Sequence, residues 1–462
     1  MAAQPDLVLV MTDQQRHDHV GWFAGSPVRT PTLDRLASNG VILDHCYSAS
    51  TTCVPARTAL LSGVVDHRMA TADHHAIRPG AFTLPRALRD VGYATANIGK
   101  AHFMPIRADH GFDHLEVSEH LDAYDGDPAT WPELDHYHDW LVARGLPDWR
   151  YQVDRGARAP YPWPDETHPT TWVRDRTLEL LANRDRDRPL FLVVSFPHPH
   201  PPVNPPERYF SMFDPDDVVL DLESHHRNDH LPSAFRLATD QADHPHRRVD
   251  PDRAHHHRRQ LASTYGLIAQ IDDAIADIVA ALDLERTILW FTADHGDYGT
   301  NRGLVRKIPW IPFDDLARVP TFVTGGPVVG GRRFDQPCQS FDVATTFLDY
   351  AGWWDEHAEH HGSFDGISHR RVLDNGTAEP ADDRPVWSAF SMNWPMVRRG
   401  PHKYIRSSGW PAEVLFDVVG DPHETIDLAR HPFGIDLARE LSALVDRQAA
   451  RGLADLPVPS LS

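Results

Sequence analysis

The residues of this chain that are best suited to chemistry surround Cys53, in the run Cys53-Val-Pro-Ala-Arg57. Pro55 suits the first turn of a helix and Gly63 the position just past its end, so a helix is predicted over 55–62. The Cys53 thiol would then lie near unpaired backbone N–H groups at the positive end of the helix, which favour an anion. From these residues alone, a catalytic nucleophile and a buried or merely reactive thiol are both open interpretations.

Most other candidate residues stand where predicted strands end. They are Asp13, Gln14, Lys100, His102, His200, Asp294 and His295. In an open α/β sheet, ligands bind beyond the carboxyl ends of the strands, so these side chains are expected to meet at one edge of the sheet. A single polar residue after one strand would be an ordinary helix cap, but the same pattern after four strands favours a shared site.

These side chains fall into two sets that differ in charge. The set predicted to hold one divalent cation is Asp13, Gln14, Asp294 and His295. A cation would overcome the repulsion between its two carboxylates, and its oxygen and nitrogen atoms are ordinary metal ligands. The cationic set is Arg57, Lys100, His102, His200 and Lys307. These groups suit the peripheral oxygens of a tetrahedral oxyanion ester, through charge-assisted hydrogen bonds.

The elements that must position these residues follow an α/β pattern. Short apolar runs predict buried strands, interpreted as parallel, at Leu7–Met11, Ala94–Ile98, Leu190–Ser195, Thr287–Thr292 and Pro320–Val323. Helical patterns lie between them, at 32–38, 55–62, 84–90, 261–282 and 342–350. Alternating strands and helices predict an α/β domain with helices on both faces of its sheet.

Two interruptions and a change of character near residue 375 divide the chain. Segment 123–171, rich in Trp and Pro, and segment 211–259, rich in His, break the alternation and are predicted to be insertions beside the site. A histidine tract can bind metal, but a solvated insertion or lid is the favoured interpretation of the second segment. Residues 1–375 are predicted to form the catalytic domain, and residues 376–462 a small α+β subdomain with an antiparallel sheet.

The composition argues against several classes of protein. A formal net charge of −21 argues against general nucleic-acid binding and means that an anionic substrate needs a local cluster of positive groups. Three cysteines cannot form a disulfide framework, and neither a signal sequence nor a membrane span is recognisable. A cytoplasmic protein with no membrane and no nucleic-acid partner is therefore expected.

Motifs across the whole chain resemble those of the type I, formylglycine-dependent sulfatases of the alkaline-phosphatase-like superfamily. Cys53 to Arg57 resembles the Cys-x-Pro-x-Arg signature of that family. The other matching segments, in chain order, are Asp13-Gln14, Thr30 to Leu36, Gly99 to His102, Pro199 to Pro202, Ala293 to Asp297, Arg306-Lys307, Leu415 to Asp417 and Asp421 to Thr425. The resemblance implies a large mixed, mostly parallel sheet sandwiched by helices, with the small antiparallel sheet at the C-terminal end.

The resemblance also implies a role for each matching side chain. The signature cysteine is expected to be converted to formylglycine by a maturation enzyme, and the hydrate to attack the sulfur of a small-molecule sulfate ester. Arg57 and Lys100 would hold this hydrate, and His102 would be the base for the step that expels sulfate. His200 and Lys307 would contact the sulfate and protonate or stabilise the leaving oxygen.

Two of the predicted metal ligands depart from the family pattern. Gln14 and His295 stand where many sulfatases have an aspartate and an asparagine. The loss of one carboxylate and the softer imidazole weaken the case for calcium, which the resemblance ranks first, and admit manganese, magnesium or zinc.

Alternatives to sulfate-ester hydrolysis remain open at this point. A phosphonate monoester or phosphodiester hydrolase of the same superfamily can share the Gln/His pair, although Lys100 and His102 favour a sulfatase. A non-catalytic binding protein would keep Cys53 unmodified, and an enzyme that used its thiolate directly would lack a base nearby in sequence. Choline sulfate, aryl sulfates and sulfated sugars are all possible substrates, and an oligomer is equally possible.

Overall fold

A large mixed sheet forms the centre of the molecule. The computed structural model describes residues 4–69, 77, 81–119, 134–146, 148, 159–221, 224–240, 249–375, 383–452, 454 and 456. The strands of the sheet are β1 (Asp6–Asp13), β2 (Val41–Tyr47), β3 (Ala94–Gly99), β4 (His114–Glu116), β5 (Leu190–Pro199), β6 (Thr287–Ala293), β7 (Phe322–Thr324) and β8 (Arg332–Gln339). Within the described residues these eight strands lie in the order β4-β3-β5-β1-β6-β7-β2-β8.

Helices cover both faces of this sheet, and others lie on the smaller sheet or beside the two. Those of the described residues are α1 (Pro31–Ser38), α2 (Cys53–Ser62), α3 (Leu84–Asp90), α4 (His136–Val142), α5 (Pro169–Asn183), α6 (Glu207–Phe210), α7 (Ser233–Asp240), α8 (Ala254–Ala280), α9 (Asp314–Ala317), α10 (Asp342–Tyr350), α11 (Trp354–His357), α12 (Arg370–Asn375) and α13 (Gly434–Ala449). Leu7 and Leu9 of β1 belong to the apolar cluster that includes α3 and α10, whereas Val8 and Val10 belong to the cluster that includes α1, α5 and α8. This two-sided burial explains why the central strands are unbroken apolar runs.

A small antiparallel sheet follows in the C-terminal part of the chain. Its strands are β9 (Val386–Ser388), β10 (Met396–Arg399), β11 (His402–Arg406) and β12 (Glu413–Asp417), in the order β12-β11-β10-β9. One face packs on Leu304 and Ile311 of the loop region after β6, and the other lies under α13. This confirms the predicted fold class, while the domain boundary at 375/376 stays a prediction because residues 376–382 lie outside the described ranges.

One predicted strand has a direction that the sequence analysis got wrong. The run at Pro320–Val323 was interpreted as parallel, but β7 is antiparallel to both of its neighbours, β6 and β2. After β6 the chain stays at the carboxyl edge of the sheet through residues 294–317 and then returns directly through β7. A return of this kind needs no helical crossover, which only a parallel connection requires.

The two predicted insertions contain more regular structure than expected. Helix α5 begins inside the first one, at Pro169, while Trp131 and Trp149 lie outside the described residues. The second contains α7 and the first turns of α8, where His257 is buried and accepts a hydrogen bond from the Asp250 N–H at 3.0 Å. Within the described ranges, no helix has both the length and the apolar composition that crossing a bilayer requires.

Candidate active site

Cys53 occupies the first position of α2, with its side chain buried. Thr52 before it is extended (φ −136°, ψ 150°), and Pro55 lies in the first turn, where a missing N–H costs no intrahelical hydrogen bond. Gly63 ends the helix in the left-handed region (φ 71°) and donates its N–H to the Ala59 carbonyl at 2.8 Å. The helix therefore begins two residues earlier than its predicted start, which places the thiol on the helix itself.

Asp13 and Asp294 meet because the strands that carry them are neighbours. β1 and β6 pair in parallel, so both carboxylates leave the same edge of the sheet. One ligand atom each from Asp13, Cys53, Asp294 and His295 lie within 4.8 Å of one another, and all four residues are buried. Burial and the adjacent Asp13 charge raise the pKa of Asp294, so an added positive charge would stabilise its ionised form. The structure thus brings three of the four predicted cation ligands together beside Cys53.

Gln14 completes this cation cage, defined as Asp13, Gln14, Asp294 and His295. Its left-handed backbone (φ 63°) directs its N–H to Asp294 Oδ1 at 3.0 Å, and its side-chain N–H donates to Asp297. The side-chain oxygen of Gln14 is buried and, among the described residues, accepts no hydrogen bond. His295 Nδ1 donates to the next residue's carbonyl at 2.8 Å, so Nε2 is the nitrogen that gains a proton when the ring is charged and that would offer its lone pair to a metal ion when the ring is neutral. The cage therefore fits one divalent cation.

Arg57 contacts residues at or near the carboxyl ends of β1, β3, β5 and β6 around the cage. Its Nε lies 2.9 Å from Asp294 Oδ2, and its Nη2 lies 3.4 Å from Asp13 Oδ2, the same oxygen that pairs with the Lys100 ammonium. Arg57 Nη1 also donates to the Lys100 carbonyl at 2.8 Å and to Ser195 Oγ at 2.9 Å. The guanidinium is thereby fixed by charge and by hydrogen bonds before any substrate binds.

Lys307 contacts the thiol directly. Its Nζ lies 3.1 Å from Cys53 Sγ, 3.4 Å from His295 Nε2 and 3.5 Å from His200 Nε2. Burial and a neighbouring carboxylate raise the pKa of Cys53, but the charges of Lys100, Lys307 and His295 outweigh them and lower it to about 5. The position at Sγ therefore stabilises negative charge at neutral pH.

His200 and His102 place two imidazoles in the cationic set. His200 Nδ1 lies 2.7 Å from the next residue's carbonyl, so Nδ1 carries the hydrogen and Nε2 faces Lys307. Burial and the charges of Lys100 and Arg57 lower the pKa of His102 well below its ordinary value. The His102 imidazole is therefore neutral at pH 7 and able to accept a proton.

Comparison with known proteins assigns this chain to a protein family. The family model described as Sulfatase matches residues 5–353. This chain belongs to the sulfatase family. The sulfatase chain is 27% identical over 456 residues to an arylsulfatase of Clostridium perfringens, covering 92% of this chain and 90% of that protein. It is 26% identical over 465 residues to the choline-sulfatase of Rhizobium meliloti, covering 97% of this chain and 86% of that protein.

An enzyme with a different activity has a solved structure of the same fold. The phosphonate monoester hydrolase of Agrobacterium radiobacter aligns with a TM-score of 0.74 and 21% identity, over 96% of each chain. At this identity the likeness shows the common fold. Together with the family match, it makes the protein a sulfatase-family enzyme of alkaline-phosphatase-like architecture.

Glu119, which no sequence motif indicated, positions the loop after β3. Its Oε1 accepts hydrogen bonds from the N–H groups of Ala101 at 2.9 Å and His102 at 2.7 Å. His102 has a positive φ of 63°, an uncommon conformation that needs such support. Glu119 follows β4 as the other candidates follow their strands, but a strand of three residues is too short to show a periodic pattern.

Asp297 is the second supporting residue, and the sequence motifs include it only as the end of the matching segment Ala293 to Asp297, without a role of its own. One of its carboxylate oxygens accepts from the Gly299 N–H at 2.5 Å and the Arg306 N–H at 3.1 Å, and the other holds the Gln14 amide. It therefore couples the cation cage to the turn that presents Lys307. The spacing Asp294-x-x-Asp297 was the available signal.

Replacing Glu119 by alanine is expected to lower kcat/KM of the sulfatase for an aryl sulfate by about tenfold to a hundredfold, the usual cost of losing an outer partner of a catalytic group. Glu119→Gln is expected to keep most of the activity, because its amide oxygen can accept both N–H hydrogen bonds. Steady-state kinetics on the two matured variants test this. Equal activity of the alanine and glutamine variants would contradict the positioning role.

Proposed function

We propose that this enzyme hydrolyses an organic sulfate monoester, using Cys53 after its conversion to formylglycine and one divalent cation held in the cage. The observation that carries the proposal is the position of Cys53 Sγ, 3.2 Å from His295 Nε2 in the cage and 3.1 Å from Lys307 Nζ. Sγ stands where one hydroxyl oxygen of the formylglycine hydrate would lie. That oxygen would lie between the metal-binding imidazole of His295 and the ammonium of Lys307.

Formylglycine and a divalent cation, which the sulfatase family implies, would each make a defined chemical contribution. The formylglycine hydrate would supply one hydroxyl for attack on sulfur and a second whose deprotonation releases sulfate, and the cation would lower the pKa of the attacking hydroxyl. Two carboxylate groups, an amide oxygen and an imidazole nitrogen suit Ca²⁺, Mn²⁺, Mg²⁺ or Zn²⁺, with calcium first by family resemblance.

The remaining work falls to side chains of this chain. Arg57 and Lys100, already fixed by the aspartates, hold position 53 in place. Lys307 Nζ donates to the sulfate oxygens, and His200 Nε2, 3.5 Å away, donates to the leaving oxygen when the ring carries a proton on both nitrogens. The neutral imidazole of His102 takes the proton of the second hydroxyl.

The local charges also explain how an anion can enter this protein. A formal net charge of −21 repels a sulfate ester at long range. At short range, Lys307 and His200 face a position whose surroundings lower the pKa of the thiol to about 5. A sulfate ester would replace that thiolate as the anion that the cations stabilise.

A phosphonate monoester hydrolase is the second candidate, because an enzyme of that activity shares the fold with a TM-score of 0.74. Both substrates are tetrahedral monoanions, but a sulfate ester presents three peripheral oxygens and a phosphonate monoester presents two oxygens and a carbon. Lys307 and His200 supply donors for peripheral oxygens, and a phosphonate monoester presents one fewer of these oxygens because its carbon accepts no hydrogen bond.

The test is the ratio of kcat/KM for p-nitrophenyl sulfate and p-nitrophenyl phenylphosphonate on the matured enzyme. We expect the sulfate to be preferred by at least about tenfold, which corresponds to about 1.4 kcal/mol in transition-state stabilisation. Cys53→Ala serves as the blank for both substrates. A preference for the phosphonate would replace the proposed activity with the second candidate.

A further inference from the structure

A second group of metal-ligating side chains lies outside the active site, in the turn that follows α11. It consists of His357, Glu359 and His360, named here the His357 cluster. One ligand atom from each residue lies within 4.8 Å of the other two. Among the described residues, the only other group of three or more His, Cys, Asp or Glu side chains this close is the one at Cys53. No histidine of the described parts of 224–257 belongs to either group.

The ligand atoms of the His357 cluster suit a particular class of metal. Two imidazole nitrogens and one carboxylate oxygen favour zinc and its neighbours over calcium or magnesium, which prefer oxygen alone. Two ligand atoms bound to one tetrahedral zinc ion lie about 3.4 Å apart. Since none of the three side chains is buried, small rotations can close the present separations. A water molecule would complete a four-coordinate site.

The base under the cluster is rigid. The His357 ring stacks on Trp353 with a centroid distance of 4.1 Å and an interplanar angle of 23°. Trp353 is itself 2% exposed, within the apolar cluster that includes α3 and α10. His360 Nε2 already lies 3.4 Å from a Glu359 carboxylate oxygen, which keeps two of the three ligands adjacent. The stacking of His357 and the contact between His360 and Glu359 therefore restrict part of the cluster before a metal binds, which lowers the conformational cost of binding.

The segment that follows the cluster supports the C-terminal end of α2. The Gly63 carbonyl accepts the N–H groups of Asp365 at 3.1 Å and Gly366 at 2.9 Å, and Asp365 Oδ2 accepts the Val65 N–H at 2.9 Å. A side chain at Gly63 would approach Phe364 to 2.8 Å, which shows how closely the two segments pack. A metal ion bound by residues 357–360 would therefore restrict the motion of the segment that contacts the C-terminal end of α2, the helix that carries Cys53.

We propose that the His357 cluster is a peripheral site for a zinc-class divalent ion, separate from the catalytic cage, and that the bound ion stabilises the turn against α2. The site is independent of the proposed sulfatase activity. It requires neither formylglycine nor a particular ion in the cage.

The experiment is a Zn²⁺ titration of the full chain, kept in excess Ca²⁺, by calorimetry and by thermal unfolding. The wild type is compared with His357→Gln/His360→Gln and with a matched control, His255→Gln/His256→Gln, in which a histidine pair on α8 is removed. In the first variant we expect Zn²⁺ affinity at this site to fall at least about tenfold, and the Zn²⁺-dependent rise in Tm to disappear. The control is expected to keep both.

Two outcomes would contradict the proposed zinc site. In the first, the wild type binds no more Zn²⁺ than the His357→Gln/His360→Gln variant. In the second, the His255→Gln/His256→Gln control loses as much Zn²⁺ affinity as that variant. Aryl sulfatase activity, assayed in Ca²⁺ alone, is expected to be the same in all three proteins. A failure of the proposed sulfatase activity would therefore appear in the kinetics of every protein, and a failure of the zinc site only in the titrations.

Discussion

Replacing Lys307 by methionine is expected to lower kcat/KM for an aryl sulfate by about 10²–10³-fold, the typical cost of removing one preorganised donor to a developing negative charge. The Lys307 ammonium is placed before the reaction, 3.1 Å from Cys53 Sγ and 3.5 Å from His200 Nε2. In the proposed reaction it would therefore stabilise charge on the sulfate without a cost in reorganisation. Methionine has a similar length and apolar volume but carries no charge. The measurement is steady-state kinetics, normalised to the formylglycine content of each preparation.

The chain offers a matched control for this substitution, because it contains three lysines, Lys100, Lys307 and Lys403. Lys403 is fully buried, whereas Lys307 is half-buried, and Lys403 pairs with Asp314 and Glu424 under the C-terminal sheet. Lys403→Met is expected to keep kcat/KM per folded molecule. An unchanged kcat/KM in Lys307→Met, or an equal loss in the control, would remove Lys307 from the reaction.

The same Lys403→Met substitution is expected to lower the free energy of unfolding by about 3–5 kcal/mol, the usual cost of leaving buried charges without their partner. Lys403 Nζ lies 2.7 Å from both Asp314 Oδ1 and Glu424 Oε1, and the Asp314 N–H donates to Glu424 Oε2 at 2.8 Å. This cluster joins β11 to α9, which follows the active-site loop. Urea unfolding at pH 8 measures the loss. An exposed surface lysine pair would cost about 1 kcal/mol at most, and such a small value would contradict this structural role.

The stability loss is also expected to depend on pH, and its sign can be worked out. Burial raises the pKa of Glu424 to about 6 even though Lys403 opposes the shift. Burial also acts to raise the pKa of Asp314, but Lys403 and neighbouring arginines overcome it and hold that pKa below its usual range. Without Lys403 the folded-state pKa values of Glu424 and Asp314 both rise. The folded variant therefore binds more protons than the folded wild type as the pH falls. Its deficit should therefore shrink as pH falls from about 8 to about 5. A constant deficit would mean that lost packing, rather than charge, is responsible.

The central strands and the residues at their ends could be predicted because one physical pattern specifies both. A strand buried on two faces, such as β1 with Leu7 and Val8, reads as an apolar run, and the run stops where the chain reaches the polar edge. Asp13 and Asp294 follow such runs directly. Their convergence needed only the rule that ligands bind at the carboxyl edge.

The outer strands gave no comparable signal. β8 (Arg332–Gln339) lies at the edge of the sheet, where Pro337 is tolerated and the exposed residues Arg333 and Asp335 interrupt the apolar pattern. β2 contains the half-buried pair Asp44-His45 and was missed for the same reason. The contacts of Glu119 and Ser195 depend on which loops the fold brings together, and periodicity within a segment carries no information on that point.

The direct test of position 53 is the mass of the peptide that contains Cys53, taken from chain produced together with a formylglycine-generating enzyme. Conversion of the thiol to the aldehyde lowers the mass by about 18 Da. We expect kcat for an aryl sulfate to rise in proportion to the converted fraction, and Cys53→Ala to be inactive. Full sulfatase activity in a preparation whose Cys53 peptide retains the unmodified thiol would show that formylglycine is not the nucleophile.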